Sequence, residues 1–212
     1  MSTKRKTKIE IMILSLCFLL LLTVGGTIAY MFISSDQVTN QFTPAKIVIK
    51  VDEDFDPKIE KSNVAITSVE PTETMEGSNI DCYIRAAIVV NWMNGDGNVY
   101  GKTPVRGTDY ELVLTTDDGQ DSTGWIKRDA DGYYYYEDPV PPGESTGILV
   151  IRCVPLATNQ CPDGYYLNVD ILAQAVQAEG VTDVGSYPAV EDAWLLAPGS
   201  VGTDKKLDPN HN

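Results

Sequence analysis

The sequence predicts an all-β fold, an antiparallel β-sandwich of jelly-roll type, preceded by an N-terminal apolar signal helix. Three observations carry this. Apolar and β-branched residues alternate with polar ones through many short runs. Clusters of Asn, Asp, Gly and Pro separate those runs at regular spacing. Helical periodicity does not alternate with the runs, which argues against a parallel, helix-crossed sheet.

The chain begins with a basic cluster, Lys4, Arg5, Lys6 and Lys8, followed by the apolar run Ile11 to Val24 and the small-residue sequence VGGTIAY. This is the layout of a secretory signal. Thr27 and Ala29 occupy the −3 and −1 positions of a small-x-small cleavage site, so the cut falls before Tyr30. Leu14-Ser15-Leu16-Cys17 carries a bulky Leu where a lipoprotein site needs a small residue, which leaves Cys17 as an apolar signal residue. The stretch from Ile11 to Ile33 is also long enough to cross ~30 Å of hydrocarbon, so a retained anchor is the alternative. Either way the charges at the start stay inside and the rest faces outward. The organisation expected is a signal peptide at 1–29, a mature N-terminal segment at 30–44, a sandwich domain at 45–197 and a disordered polar tail at 198–212. The membrane is a partner only through the signal segment before cleavage.

AKIVIKV (Ala45 to Val51) alternates and reads as the first strand, which DEDFDPK then interrupts. A second strand is expected over Asn63 to Val69. The longest, Asp81 to Met93, sets Ile84, Ala86, Ile88, Val90 and Trp92 on one face and Tyr83, Arg85, Ala87, Val89 and Asn91 on the other. Both faces are largely apolar, so this strand is expected at the centre of a sheet. Asn94 to Asn98 reads as a hairpin turn. Tyr110 to Thr116, Trp125 to Arg128, Tyr133 to Glu137 and Ile148 to Val154 continue the series. Tyr165 to Gln177 buries Leu167, Val169, Ile171, Ala173 and Ala175 on one side, and a short helix is expected at Ala189 to Leu196. The tyrosines Tyr133 to Tyr136 put two rings on each face, as core pairs or, for two of them, as an exposed patch that could stack on a sugar or a neighbouring subunit.

The chain carries 16 Lys+Arg against 30 Asp+Glu, a net charge of −14. Removing residues 1–29 makes the mature chain more acidic still. No basic cluster remains to follow a phosphate backbone, so nucleic acid is a poor partner. Three cysteines follow the signal. Cys153 and Cys161 bracket a short loop whose closure would contribute about 2.5 kcal/mol, and they are the expected disulfide, with two free thiols as the alternative. Cys82 shares a face with Ile84 and reads as a core residue.

The one histidine, His211, lies beside the C-terminus, so His-dependent triads and zinc sites have no residues to use. Neither a phosphate loop nor a paired Cys and His occurs, and no catalytic residue, cofactor or metal site is assigned. Asp52, Glu53, Asp54 and Asp56, or Asp117, Asp118 and Asp121, could supply clustered calcium ligands. Asp in a Gly-containing turn more often serves local backbone hydrogen bonds.

The stretch VGGTIAYMFISSDQVTNQFTPAKIVIKV resembles the N-terminus of the TasA/camelysin-like exported proteins of Gram-positive bacteria, which a dedicated SipW-type signal peptidase cleaves. The residues that carry the likeness are Gly25, Gly26, Thr27, Ala29, Tyr30, Asn40, Phe42, Lys46 and Ile47. DCYIRAAIVVNW, GYYYYEDPVPPGEST and AVQAEGV…AVEDAW extend it over most of the chain. The resemblance implies a secreted β-sandwich of the biofilm matrix or cell surface, and the lack of a catalytic set makes a structural, non-enzymatic protein the expectation. In such a protein the mature N-terminal segment, with Tyr30, Met31, Phe32, Ile33 and Phe42, adds as a strand to the next copy, and a minor fibre subunit joins the assembly. The other reading, from a different class, is a monomeric adhesion or ligand-binding module. The camelysin side also implies proteolytic character, for which no HExxH or nucleophile elbow is present.

Overall fold

The computed structural model describes residues 45–56, 60–117, 123–179 and 188–211, together with Ser15. The residues from Pro44 to Asn212 belong to one compact unit. Its eight strands are β1 (Ile49–Asp56), β2 (Glu60–Ser68), β3 (Cys82–Asn94), β4 (Tyr110–Leu114), β5 (Trp125–Lys127), β6 (Tyr134–Tyr136), β7 (Val150–Pro155) and β8 (Tyr165–Gln177). One short helix follows, α1 (Ala189–Ala193). No helix among the described residues is long and apolar enough to cross a membrane.

The strands make two four-stranded antiparallel sheets, β1-β2-β7-β4 and β5-β6-β3-β8. Period-two alternation gives each sheet one apolar face, and the two faces bury each other. Val64, Ile66, Leu112, Leu114 and Val150 of the first sheet meet Ile84, Ala86, Trp125 and Val169 of the second in a single core. Cys82 lies in this core as expected, fully buried. β3 lies between β6 and β8 and pairs with β8 along its whole length, from Cys82 opposite Gln177 to Asn94 opposite Tyr165. The hairpin expected at Asn94 is only a stub: Val99 bridges back to Met93, and the chain then crosses to the other sheet for β4.

β1 runs through the acidic stretch that was expected to end it. The β1–β2 register shifts between Asp52 and Asp54, and Asn63 on β2 adopts a left-handed φ of 53°, so the strands bulge without parting. The acidic side chains are satisfied locally. Asp52 takes hydrogen bonds from Lys50 and Thr67, which hold its carboxyl below the usual range, and Asp54 accepts from Asn63 Nδ2 at 2.9 Å. The bulge also admits Lys61 to the interior at 6% exposure. There its ammonium lies 2.8 Å from Glu53 Oε2 and donates to the Val169 carbonyl of the opposite sheet.

A second apolar cluster covers part of the outer face of the β5-β6-β3-β8 sheet. Tyr83 and Tyr135 pack there under Val190, Trp194, Leu196 and Leu207. All four tyrosines of the tetrad therefore serve cores, since Tyr134 and Tyr136 pack against the inner cluster and Tyr133 against the outer one. The segment expected as a disordered tail is part of this layer. Leu207 is buried at 1% exposure and its N–H donates to Glu137 O at 2.8 Å. Tyr83 Oη donates to Lys205 O at 2.8 Å, and Asn210 Nδ2 to Lys127 O at 3.1 Å. A polar run stays ordered here because two apolar side chains and its backbone find partners on the sheet.

The expected Cys153–Cys161 disulfide is not formed: all three described cysteines are free thiols. Cys153 points into the sandwich core. Cys161 instead lies in the loop before β8, where its thiol donates to Tyr165 O at 3.1 Å. Burial pushes the Cys153 thiol up to about 11 and raises Cys82 as well. In native protein a thiol reagent is therefore expected to modify Cys161, and to reach Cys82 and Cys153 only after denaturation. Peptide mapping of alkylated protein, with and without denaturant, checks this.

Candidate functional site

A β-sandwich has four outer strands, here β1 and β4 of one sheet and β5 and β8 of the other. An unpaired edge is a template for another chain, and sheet proteins guard it with charge, proline, shortness or a bulge. β1 has all but the proline or shortness: it carries Lys50, Asp52, Glu53, Asp54 and Asp56 and is bulged. β4 is five residues long. It is flanked by Arg106, whose guanidinium donates to Leu112 O and to Asp117 Oδ2, both at 2.6 Å. β5 has only three residues.

β8 is guarded at separate points: on its outer flank Lys61 Nζ donates to Val169 O and Cys161 Sγ to Tyr165 O. It is thirteen residues long, YYLNVDILAQAVQ, with Asp170 as its only charge and no proline or glycine. At ~3.3 Å per residue it is about 43 Å long, and among the described residues its one strand partner is β3.

An open groove of about 620 Å³ lies at the end of that edge. Its walls are Ala45 and Ile47 from the lead into β1, Ala175, Val176 and the polar Gln177 from β8, and Ala189 and Ala193 from α1, with the Asp192 carboxylate as its one charged group. β1 and β8 lie against each other across the sandwich, which brings Ala45 and Ile47 to this place.

Long-range contacts, rather than helix propensity, hold the α1 wall. Glu191 is buried, and its Oε1 accepts from the N–H groups of Gly199 and Val201, each at 3.0 Å. Trp194, just past the helix, meets the Tyr135 ring edge-on with centroids 5.4 Å apart. The Arg85 guanidinium stands over Trp194 at 4.9 Å and Tyr133 at 4.2 Å. It donates to Tyr135 Oη at 3.0 Å and to Gln174 Oε1 of β8 at 2.8 Å. Tyr135 Oη in turn donates to Asp131 Oδ2 at 2.7 Å. Burial works to raise the Asp131 carboxyl, but the bonds from Tyr135, Tyr133 N–H and Arg128 outweigh it and keep it low. Burial, with the negative charges of Asp138, Asp204 and Glu191, pushes the Tyr83 phenol up to about 12. These groups are fixed as structural partners beneath the groove wall.

Thr27, Ala29, Tyr30, Met31, Phe32, Ile33 and Phe42, the residues expected to govern cleavage and strand addition, lie outside the described residues. Cys153 and Cys161 are separated as reported above. Of the calcium candidates, Asp52 and Asp54 are engaged along a strand, Glu53 faces Lys61, and Asp117 accepts from Arg106 and from Leu114 N at 2.9 Å. Among the described residues no group of three or more potential ligands is placed to hold a metal ion. The feature missed from the sequence is the position of β8 at an edge. Its signal was present, as the longest run after β3 without a breaker and with a single charge, Asp170. No protein family, curated protein or solved structure matches this chain.

Proposed function

We propose that this chain is an exported structural subunit of the TasA/camelysin-like kind, which polymerises into surface or biofilm-matrix fibres by strand addition. The observation that carries the reading is the long outer strand β8, thirteen residues with Asp170 as its only charge and no proline or glycine. A signal peptidase would cut after Ala29 and free Tyr30 as the new N-terminus. The segment from Tyr30 to about Phe42 would then pair with the β8 edge of another copy, main-chain hydrogen bonds giving affinity and alternating side chains giving register. Export is supported by the basic and apolar signal layout of residues 4–33. A jelly-roll path is supported by the connections, since every one except β1–β2 and β5–β6 crosses between the sheets. The partners in this reading are further copies of the chain, a minor fibre subunit and, during export, the signal peptidase; the chain itself is not an enzyme.

Deleting Tyr30 to Thr39 from the mature chain is expected to give a folded monomer that forms no fibres, as read by circular dichroism and electron microscopy. Fibres of normal yield from the deleted chain would remove the reading. Loss of folding would make the segment an intramolecular strand, and an intact mature chain that stays monomeric would favour the ligand-binding module.

A further inference from the structure

We infer that the outer face of the β3–β8 pair binds a neutral polysaccharide, with Tyr166 as the ring on which a sugar stacks and Asn91, Asn168 and Asp170 as the groups that read its hydroxyls. The fibre reading is not required for this, and the ligand lies on the face of the sheet, not along a strand flank. In the register of the pair, Tyr166 stands opposite Met93, Asn168 opposite Asn91, Asp170 opposite Val89 and Leu172 opposite Ala87. Their neighbours Ile88, Val90, Leu167, Val169 and Ile171 serve the inner core, so period two turns these eight side chains outward. The layer built on α1 packs over Tyr83, Tyr135 and Val176 at one end of this face. Towards the other end, Tyr166 and Val89 are each 37% exposed and Leu172 is 53% exposed.

A fixed polar row crosses the middle of this apolar stretch. Asn168 Nδ2 donates to Asp170 Oδ2 at 2.8 Å and to Asn91 Oδ1 at 3.3 Å. That leaves the amide group of Asn91 as a donor, with Asn168 Oδ1 and Asp170 Oδ1 as acceptors, for an outside ligand. A sugar hydroxyl donates and accepts at once, which suits a row of mixed character. Because the row is held by its own hydrogen bonds on a paired sheet, little side-chain freedom is left to lose on binding. An amphipathic ring such as Tyr166 covers the C–H face of a sugar and keeps its hydroxyl at the rim.

Charge and area select the ligand. Asp170 is the only charged group in the stretch from Tyr166 to Leu172 and its β3 partners, and the chain carries a net charge of −14, so anionic polymers are repelled. Six steps of ~3.3 Å make the stretch about 20 Å long, and two strands at ~4.8 Å make it about 10 Å wide. β6 does not widen it, because it pairs with β3 only at Arg85 and Ala86. The footprint is on the order of 200 Å², roughly a quarter of what each partner of a stable protein complex buries. A second copy or another folded protein would gain too little there. A neutral glycan of a few sugars is long, narrow and uncharged, and it matches both the apolar ends and the polar middle.

The test runs the intact mature chain, at low concentration, through native gels that contain hydroxyethylcellulose, galactomannan or, as the anionic comparison, polygalacturonate. The neutral polymers should retard it and polygalacturonate should not. Tyr166→Ala should weaken the retardation about tenfold, the upper range for one aromatic contact. Leu172→Glu, at an exposed position where the core is not disturbed, should weaken it several-fold. Ile151→Ala, exposed on β7 of the other sheet, should leave it unchanged. Retardation by neither neutral polymer, equal retardation by polygalacturonate, or parental retardation of both the Tyr166 and Leu172 variants would overturn the inference. If Leu172→Glu loses self-association in sedimentation but keeps its retardation, the face belongs to a second copy and the inference also falls.

Discussion

Gly77→Ala is expected to destabilise the sandwich by about 3–5 kcal/mol, the upper range for a single substitution. A Cβ at Gly77 would lie 2.3 Å from Pro71 N, 2.4 Å from Glu70 C and 2.6 Å from Val69 O, all backbone atoms with no flexible side chain to yield. The next residue shows why the chain must pass so close. Ser78 Oγ accepts from Val48 N–H and donates to Val48 O, both at 2.9 Å, while Ser78 N–H donates to Val69 O at 2.7 Å. Asn79 adds two bonds to the Lys46 backbone. Displacing Gly77 withdraws this wedge from the lead into β1, and with it the Ala45 and Ile47 wall of the groove. Gly95 meets nothing within 4 Å of the same atom. Gly95→Ala is therefore the control, expected within about 0.5 kcal/mol of the parent. Urea unfolding of the two variants measures the difference, and similar midpoints would show that the corner relaxes freely.

Lys61→Ala is expected to cost about 3 kcal/mol. The ammonium joins the two sheets, pairing with Glu53 on β1 and donating to the Val169 carbonyl on β8. Its removal leaves a buried carbonyl without its donor, worth about 1–3 kcal/mol, and a void where the aliphatic stem lay. Glu53 keeps 27% of its side-chain exposure, so water lessens the penalty of stranding its charge. Lys61→Met refills the volume and is expected to recover about half of the loss. Equal costs for the two substitutions, read from urea midpoints, would show that the charge rather than the packing governs the site.

Much of the sandwich was legible because period-two alternation is a local property. The thirteen-residue runs at β3 and β8 declare their inner faces through Ile84, Ala86, Val169 and Ile171. The two apolar faces of β3 marked it as central, as it is, but what pairs along a strand's flank is a long-range fact, and alternation does not say that β8 is an edge. The acidic run of β1 was misjudged because the left-handed Asn63, which permits the bulge and turns Lys61 inward, has no signature in composition. Cys153 and Cys161 are near in sequence, but the inward direction of one thiol is set by the pairing of Leu112 with Cys153. The ordered C-terminal segment escaped notice because its hold depends on distant partners: Lys127, Glu137 and Tyr83. Of the candidate site, the donor residues Tyr30 to Ile33 stand out in the sequence, whereas the Ala45, Ala175 and Ala193 groove exists only once three separate segments meet.

Self-assembly of the intact mature chain is the central claim, and sedimentation velocity of the protein beginning at Tyr30, followed over a wide concentration range, tests it most directly. The account predicts a mean mass that climbs continuously with concentration, without stopping at a dimer, as a head-to-tail contact that does not close requires. A single monomeric boundary at every concentration would contradict it.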